Sequence, residues 1–132
     1  MEAEMTISEM GKKAKNASSQ LRQTSSYQKN RALEGVLASL KINRSKIIEG
    51  NNKDIKYANE KKLSDAMIDR LFLNDERLNS IIYGLEEIIT LPDPVGQLIE
   101  EFIRPNGLVI NKVSTPLGVV GVIFESRPNV II

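Results

Sequence analysis

The feature that most constrains this fold is an apolar run of eight residues, 117–124, which lies between Pro116 and Pro128. A continuous apolar run with such boundaries is typical of a strand that is buried on both faces of a parallel sheet. A parallel strand needs a partner strand and a crossover connection of about a dozen residues. Only eight residues follow Phe124, which is too few for that crossover. We therefore interpret the chain as the truncated front part of a larger soluble α/β protein.

Two absences limit the chemistry of these 132 residues, because the sequence contains neither Cys nor His. Within the chain this excludes a zinc site built on Cys or His, a thiol nucleophile and an imidazole base, so no metal site is expected. The 18 basic and 17 acidic side chains nearly cancel, and we expect no nucleic-acid partner. The longest apolar stretch is too short for a bilayer and the N-terminus does not resemble a signal peptide, so we expect no membrane partner and a cytoplasmic location.

Two capping-box spacings mark the starts of the first helices. Thr6 stands three residues before Glu9, and apolar residues at helical intervals then predict a helix over residues 7–23. Ser25 and Gln28 repeat the spacing before a second apolar stripe. The first part of the chain is therefore predicted to be helical.

Further helices are predicted as far as the first proline pair. The second helical stretch continues to about residue 59, with Asn43-Arg44 as a candidate interruption. Ser64 is the predicted N-cap of a short helix and Asp75 that of the next one. This last helix should stop before Pro92, because proline cannot continue it. Its apolar face has the clearest helical period in the chain and consists of Leu78, Ile81, Ile82, Leu85, Ile88 and Ile89.

After Pro94 the helical period disappears and β-branched residues become frequent. Residues 97–104 and 108–115 flank Pro105-Asn106-Gly107. Asn-Gly between two such runs predicts a β-hairpin.

The candidate site follows the apolar run and consists of Glu125, Ser126, Arg127 and Asn129. In open α/β sheets ligands bind beyond the carboxyl ends of the strands, and this segment leaves what we interpret as such an end. Arg127 could grip a phosphate or carboxylate with its planar fork, and the amide of Asn129 could donate to a developing oxyanion. The competing interpretation is a polar turn with a Glu125–Arg127 surface pair.

Several strings in this sequence together resemble one family, γ-glutamyl phosphate reductase, also called glutamate-5-semialdehyde dehydrogenase, of the aldehyde dehydrogenase superfamily. They occur in the family's order and span nearly the whole chain, and the longest is the most specific. These strings cover residues 10–15, 52–54, 69–71, 91–96, 104–108 and 116–130.

This resemblance implies an activity and a domain organisation. Family members reduce L-glutamyl 5-phosphate to L-glutamate 5-semialdehyde with NADPH in proline biosynthesis, through a cysteine nucleophile. The implied division is an N-terminal helical segment over 1–96, a hairpin arm over 97–116 that joins subunits in a homo-oligomer, and the start of a cofactor-binding domain over 117–132. The loop from Glu125 to Asn129 would then lie beside substrate and cofactor, with Asn129 or Ser126 as oxyanion donor.

Other functions stay open at the level of the sequence. The family's nucleophilic Cys lies downstream of anything in this chain, so the 132 residues alone are expected to be inactive. One alternative is a non-catalytic helical interaction module that keeps only the assembly surface. Another, from residue types alone, is a small binder of anionic metabolites through Arg127.

Overall fold

The computed structural model describes residues 5–132. The helices in this part of the chain are α1 (Ile7–Leu21), α2 (Ser26–Ile42), α3 (Arg44–Glu60), α4 (Asp65–Leu71) and α5 (Asp75–Thr90). They are followed by strands β1 (Leu98–Ile103) and β2 (Val109–Val113) and by a short 3-10 helix, Pro128–Ile131. The predicted order, helices and then a hairpin, is confirmed.

Helix α1 begins with the predicted capping box. The hydroxyl oxygen of Thr6 accepts a hydrogen bond from the backbone N–H of Glu9, and the Glu9 carboxylate accepts one from the backbone N–H of Thr6 at 2.9 Å. Each partner thus satisfies a donor that the first turn of a helix leaves free. The helix ends at Leu21, slightly before the predicted end at residue 23.

The candidate interruption between the second and third helices is also confirmed. Asn43 separates α2 from α3 and has a non-helical ψ of 12°. Its side-chain amide donates to the carbonyl of Ser39 at 2.9 Å, which also accepts from the backbone N–H of Asn43. The single helical stretch therefore becomes two helices.

The predicted N-cap of α5 is wrong by one residue. Asn74, not Asp75, takes the cap position, and its side-chain oxygen accepts from the backbone N–H of Arg77 at 2.9 Å. Asp75 is instead the first helical residue and forms an ion pair with Arg44 of α3. Both side chains suit a cap chemically, so the choice depends on the chain direction after Leu73.

One of the two compact units comprises residues 27–91 with 122–132, and its core lies around α5. Leu78 is 1% exposed and is buried together with Leu73 and Ile82. The partly buried residues that pack on this cluster are Leu37 and Leu40 of α2, Ile47 and Ile48 of α3, and Ile81 of α5 itself. Of the face predicted for α5, Leu78, Ile82 and Leu85 are buried, whereas Ile88 is 48% exposed.

The other compact unit comprises the described residues up to Ser26 with residues 92–121, and it contains the hairpin. Strands β1 and β2 pair antiparallel, with an irregularity between Leu98 and Glu100. At the turn, Gly107 has φ +83°, a conformation that glycine adopts without steric cost, and its N–H donates to the carbonyl of Arg104. Every residue of both strands is exposed.

The apolar run over residues 117–124 does not form the predicted buried strand. It has no regular secondary structure, and Leu117 and Ile123 are 94% and 103% exposed. A strand exists only through hydrogen bonds to a neighbouring strand. None of the residues 5–132 provides such a neighbour, because the sheet of the described chain contains β1 and β2 alone.

Candidate functional site

The predicted site segment is a loop that leads into the short 3-10 helix. Glu125 and Arg127 are exposed, whereas Ser126 is half-buried. Arg127 precedes the 3-10 helix, and its carbonyl accepts from the N–H of Val130 at 3.1 Å. Pro128 stands at the start of that helix, where its missing N–H costs no hydrogen bond. The prolyl ring therefore helps to fix the position of Asn129.

Ser126 has an unusual backbone conformation, with φ +51°. A residue with a Cβ atom is disfavoured in this left-handed region by about 1–2 kcal/mol. Such strain is often found in loops that position functional groups. The turn at Ser126 sets the direction of the chain as it enters residues 127–129.

Asn129 lines a cavity of about 440 Å³ on the compact unit that contains α5. A volume of this order is sufficient for a small metabolite. One part of the wall is apolar and includes Ile81 and Ile88 of α5. Two arginines, Arg70 and Arg77, also line it. The remaining lining residues are Phe72, Leu73, Ser80, Gly84, Leu85, Pro128 and Ile132.

The two arginines differ in what holds them. Arg77 donates to the Asp69 carboxylate at 2.6 Å, to the Asp69 carbonyl, and to the Phe72 carbonyl at 3.0 Å. Its guanidinium also lies over the Phe72 ring, 5.5 Å from the ring centre. Arg77 therefore satisfies carbonyl groups at the end of α4 and is structural. Arg70 makes no ion pair or side-chain hydrogen bond with any residue between 5 and 132.

The structure brings only some of the sequence-predicted residues to this cavity. Asn129 lines it, but Glu125, Ser126 and Arg127 do not. The alternative Glu125–Arg127 surface pair is not among the ion pairs of residues 5–132. Arg70 was missed, because its only signal in the sequence is its place in the family-like string over residues 69–71.

A second, smaller cavity lies on the unit that contains the hairpin. Its volume is about 260 Å³, and Lys15, Ser18 and Ser19 of α1 contribute to its wall together with Arg22, which follows the helix. The hydroxyl groups of Ser18 and Ser19 both donate to the carbonyl of Lys15. Their protons are therefore not available to an anion, and the C-terminal end of a helix disfavours negative charge. We do not assign a function to this cavity.

Residues 5–132 contain no group of acidic side chains placed to hold a metal ion. Among the helices of the same residues, none has the length and apolar character that crossing a membrane requires.

The helices and hairpin have the fold of one part of a known class of α/β structure. The fold matches a crystal structure of gamma-glutamyl phosphate reductase from Thermotoga maritima with a TM-score of 0.86 and 39% identity, covering 90% of this chain and 29% of that one. The corresponding structure from Saccharomyces cerevisiae matches with a TM-score of 0.88 and 34% identity, covering 97% of this chain and 33% of that one.

Curated sequences show which particular protein this chain is similar to. Gamma-glutamyl phosphate reductase of Bartonella henselae is 48% identical over 126 residues, which is 96% of this chain and 31% of the relative. That of Histophilus somni is 50% identical over 96% of this chain and 30% of the relative. No protein-family model matches the chain. The chain thus resembles the N-terminal portion of gamma-glutamyl phosphate reductase and spans about 30% of the length of these relatives.

Proposed function

We propose that this chain is the N-terminal part of an NADPH-dependent reductase that converts L-glutamyl 5-phosphate to L-glutamate 5-semialdehyde in proline biosynthesis. The observation that carries the proposal is the 48% identity to a gamma-glutamyl phosphate reductase over 96% of the chain. The match covers 126 of the 132 residues. A biosynthetic reductase of this kind also fits the expected cytoplasmic location.

The residues of this chain would bind and orient the substrate. The Asn129 amide would donate a hydrogen bond to the carbonyl oxygen of the substrate as negative charge develops there. The exposed guanidinium of Arg127 would hold a phosphate, either that of the substrate or that of the cofactor. Ser126 would act through the left-handed turn that positions these two side chains, and Glu125 borders the same loop.

Other groups required for the reaction would come from outside these 132 residues. The chain contains no Cys, so a cysteine nucleophile would belong to another part of the complete enzyme. NADPH would supply the hydride. Gly118 and Gly121 do not form the G-x-G-x-x-G fingerprint of a dinucleotide site, so the residues present do not define a cofactor pocket by themselves.

The exposed hairpin supports a proposal about assembly. Phe102, Ile103 and Ile110 are 42%, 71% and 39% exposed on a two-stranded sheet. Isolated two-stranded sheets are marginally stable, and open strand edges pair readily with other chains. We propose that β1 and β2 join copies of the protein in a homo-oligomer.

A chimera tests the proposed function directly. This chain would replace the matching N-terminal part of the Bartonella henselae relative, which keeps its own remaining two thirds. We expect the chimera to oxidise glutamate 5-semialdehyde in the presence of phosphate and NADP, followed at the nicotinamide absorbance band. The 132-residue chain alone is the matched control and should show no turnover, because it has no Cys.

The alternative function predicts a different result for the chimera. A non-catalytic interaction module is favoured by the exposed hairpin and would give an inactive but folded chimera. The isolated chain would then still associate through β1 and β2. An inactive chimera with a normal melting curve would overturn the proposed reductase function.

A further inference from the structure

The cavity beside Asn129 holds one arginine that no residue of the described chain neutralises. Arg70 lies near the end of α4, and its guanidinium has no carboxylate partner among residues 5–132. Arg77 lines the same cavity but uses its N–H groups on Asp69 and Phe72. The two arginines are therefore not equivalent. Of the two, only Arg70 has no carboxylate partner among residues 5–132, and its whole planar donor fork is available to an anionic ligand.

The chemistry of the cavity wall restricts which anion would fit. Ile81 and Ile88 provide an apolar surface, Asn129 provides an amide, and Arg70 provides a positive charge. A ligand matched to all three has a carboxylate at one end, a short aliphatic chain, and a polar carbonyl at the other end. A glutamyl group has this pattern, because two methylene groups separate its reacting carbonyl from the carbon that bears its α-carboxylate.

We propose that Arg70 binds the α-carboxylate of the glutamyl substrate and thereby makes the enzyme selective for it. The Asn129 amide then faces the reacting carbonyl, and the methylene groups lie along Ile81 and Ile88. Arg127, which does not line this cavity, is left for a phosphate. The inference rests on the proposed function, since it names a residue of the same site.

Kinetics of the active chimera test this role. Replacing Arg70 with Ala should raise the KM for glutamate 5-semialdehyde roughly ten- to hundredfold, the effect of losing a charge-assisted hydrogen bond. The kcat and the KM for NADP should change less than about twofold, since uniform binding affects KM alone. Arg70→Lys should recover only part of the loss, because lysine lacks the planar fork.

A substrate analogue separates carboxylate binding from a general effect. The aldehyde 4-aminobutanal lacks the α-carboxylate, so Arg70→Ala should leave its kcat/KM unchanged. The matched control variant is Arg31→Ala, which removes an exposed arginine of α2 that does not line the cavity. It should leave both aldehydes unaffected. A melting curve for each variant shows whether the fold is intact.

The possible outcomes distinguish the two proposals. If the parent chimera is inactive, the proposed function fails and the assignment of Arg70 falls with it. If the chimera is active but Arg70→Ala has a normal KM, the function stands and the assignment of Arg70 is wrong. Equal losses with both aldehydes would also refute a role in binding the carboxylate.

Discussion

Asn51 is the buried polar residue on which the packing of α3 against the α4–α5 connection depends. It is 6% exposed, and its amide nitrogen donates to the carbonyl of Leu71 at 2.8 Å while its oxygen accepts from the N–H of Leu73 at 2.7 Å. The side chain thus takes the place of a backbone partner for a segment that leaves α4. Replacing Asn51 with Ala should destabilise this compact unit.

The expected magnitude follows from the two groups that would lose their partner. Leu73 is buried and Leu71 is half-buried, so neither group is freely hydrated after the substitution. Leaving a buried polar group unsatisfied costs about 1–3 kcal/mol. Alanine returns roughly 0.5 kcal/mol through its higher helix propensity. For the two groups together we expect a net loss of about 1.5–5.5 kcal/mol in the free energy of unfolding.

Urea unfolding followed by circular dichroism measures this loss. The matched control is Asn52→Ala, since Asn52 is the exposed neighbour of Asn51 in the same helix. That variant should be unchanged or more stable by roughly 0.5 kcal/mol. A loss below about 0.5 kcal/mol for Asn51→Ala, within the range of ordinary surface substitutions, would refute the reasoning. It would mean that water hydrogen-bonds the Leu71 carbonyl and the Leu73 N–H in place of the Asn51 side chain, with no loss of stability.

Replacing Asn51 with Asp tests the hydrogen bond that the Asn51 amide donates to the carbonyl of Leu71. The carboxylate can still accept from the N–H of Leu73, but it places an oxygen against the carbonyl of Leu71. Burial and this contact should raise the pKa of the introduced carboxyl group above its ordinary value. Relative to the parent, the variant should therefore be least stable at neutral pH and should recover as acidification protonates the carboxyl group.

Three further predictions concern the rest of the chain. The backbone N–H and then the hydroxyl of Thr6 hydrogen-bond the Glu9 carboxylate and hold its pKa below the ordinary value. This cap therefore stabilises α1 fully above about pH 4.3, the pKa of a glutamate in an unfolded chain. The stabilisation is lost as the pH falls through the lower pKa that Glu9 has in the folded chain. Amide NMR of α1 should show fraying in acid that Glu9→Gln abolishes, and equal acid fraying in both would contradict it. The isolated chain should self-associate through the hairpin and residues 117–124, which light scattering would detect. The substitution Phe102→Lys should reduce this association, because it places a charge on the hairpin. A clean parent monomer at high concentration would disprove this. In the active chimera, Arg127→Ala should lower kcat/KM roughly ten- to hundredfold with partial rescue by Lys, and a change within about twofold would remove Arg127 from the site.

Local sequence signals determined where most secondary-structure elements begin and end. The Thr6 capping box, the stop before Pro92 and the glycine at the hairpin turn each depend on groups within about four residues of one another. Hydrogen bonds and backbone conformations at that range are encoded in short strings. The helical period of α5 likewise identified Leu78, Ile82 and Leu85 as core residues.

Only the tertiary structure decided features that depend on distant neighbours. The pairing of Asn51 with the backbone near Leu73 joins groups 22 residues apart, and no periodicity signals it. The site loop was predicted with Arg127 as its cation, whereas the structure places Arg70 in the cavity with Asn129. The run over residues 117–124 has the composition of a buried strand but remains exposed. The composition of a segment determines whether it can form a buried strand. Whether the strand forms depends on the neighbouring strands that the fold brings to it.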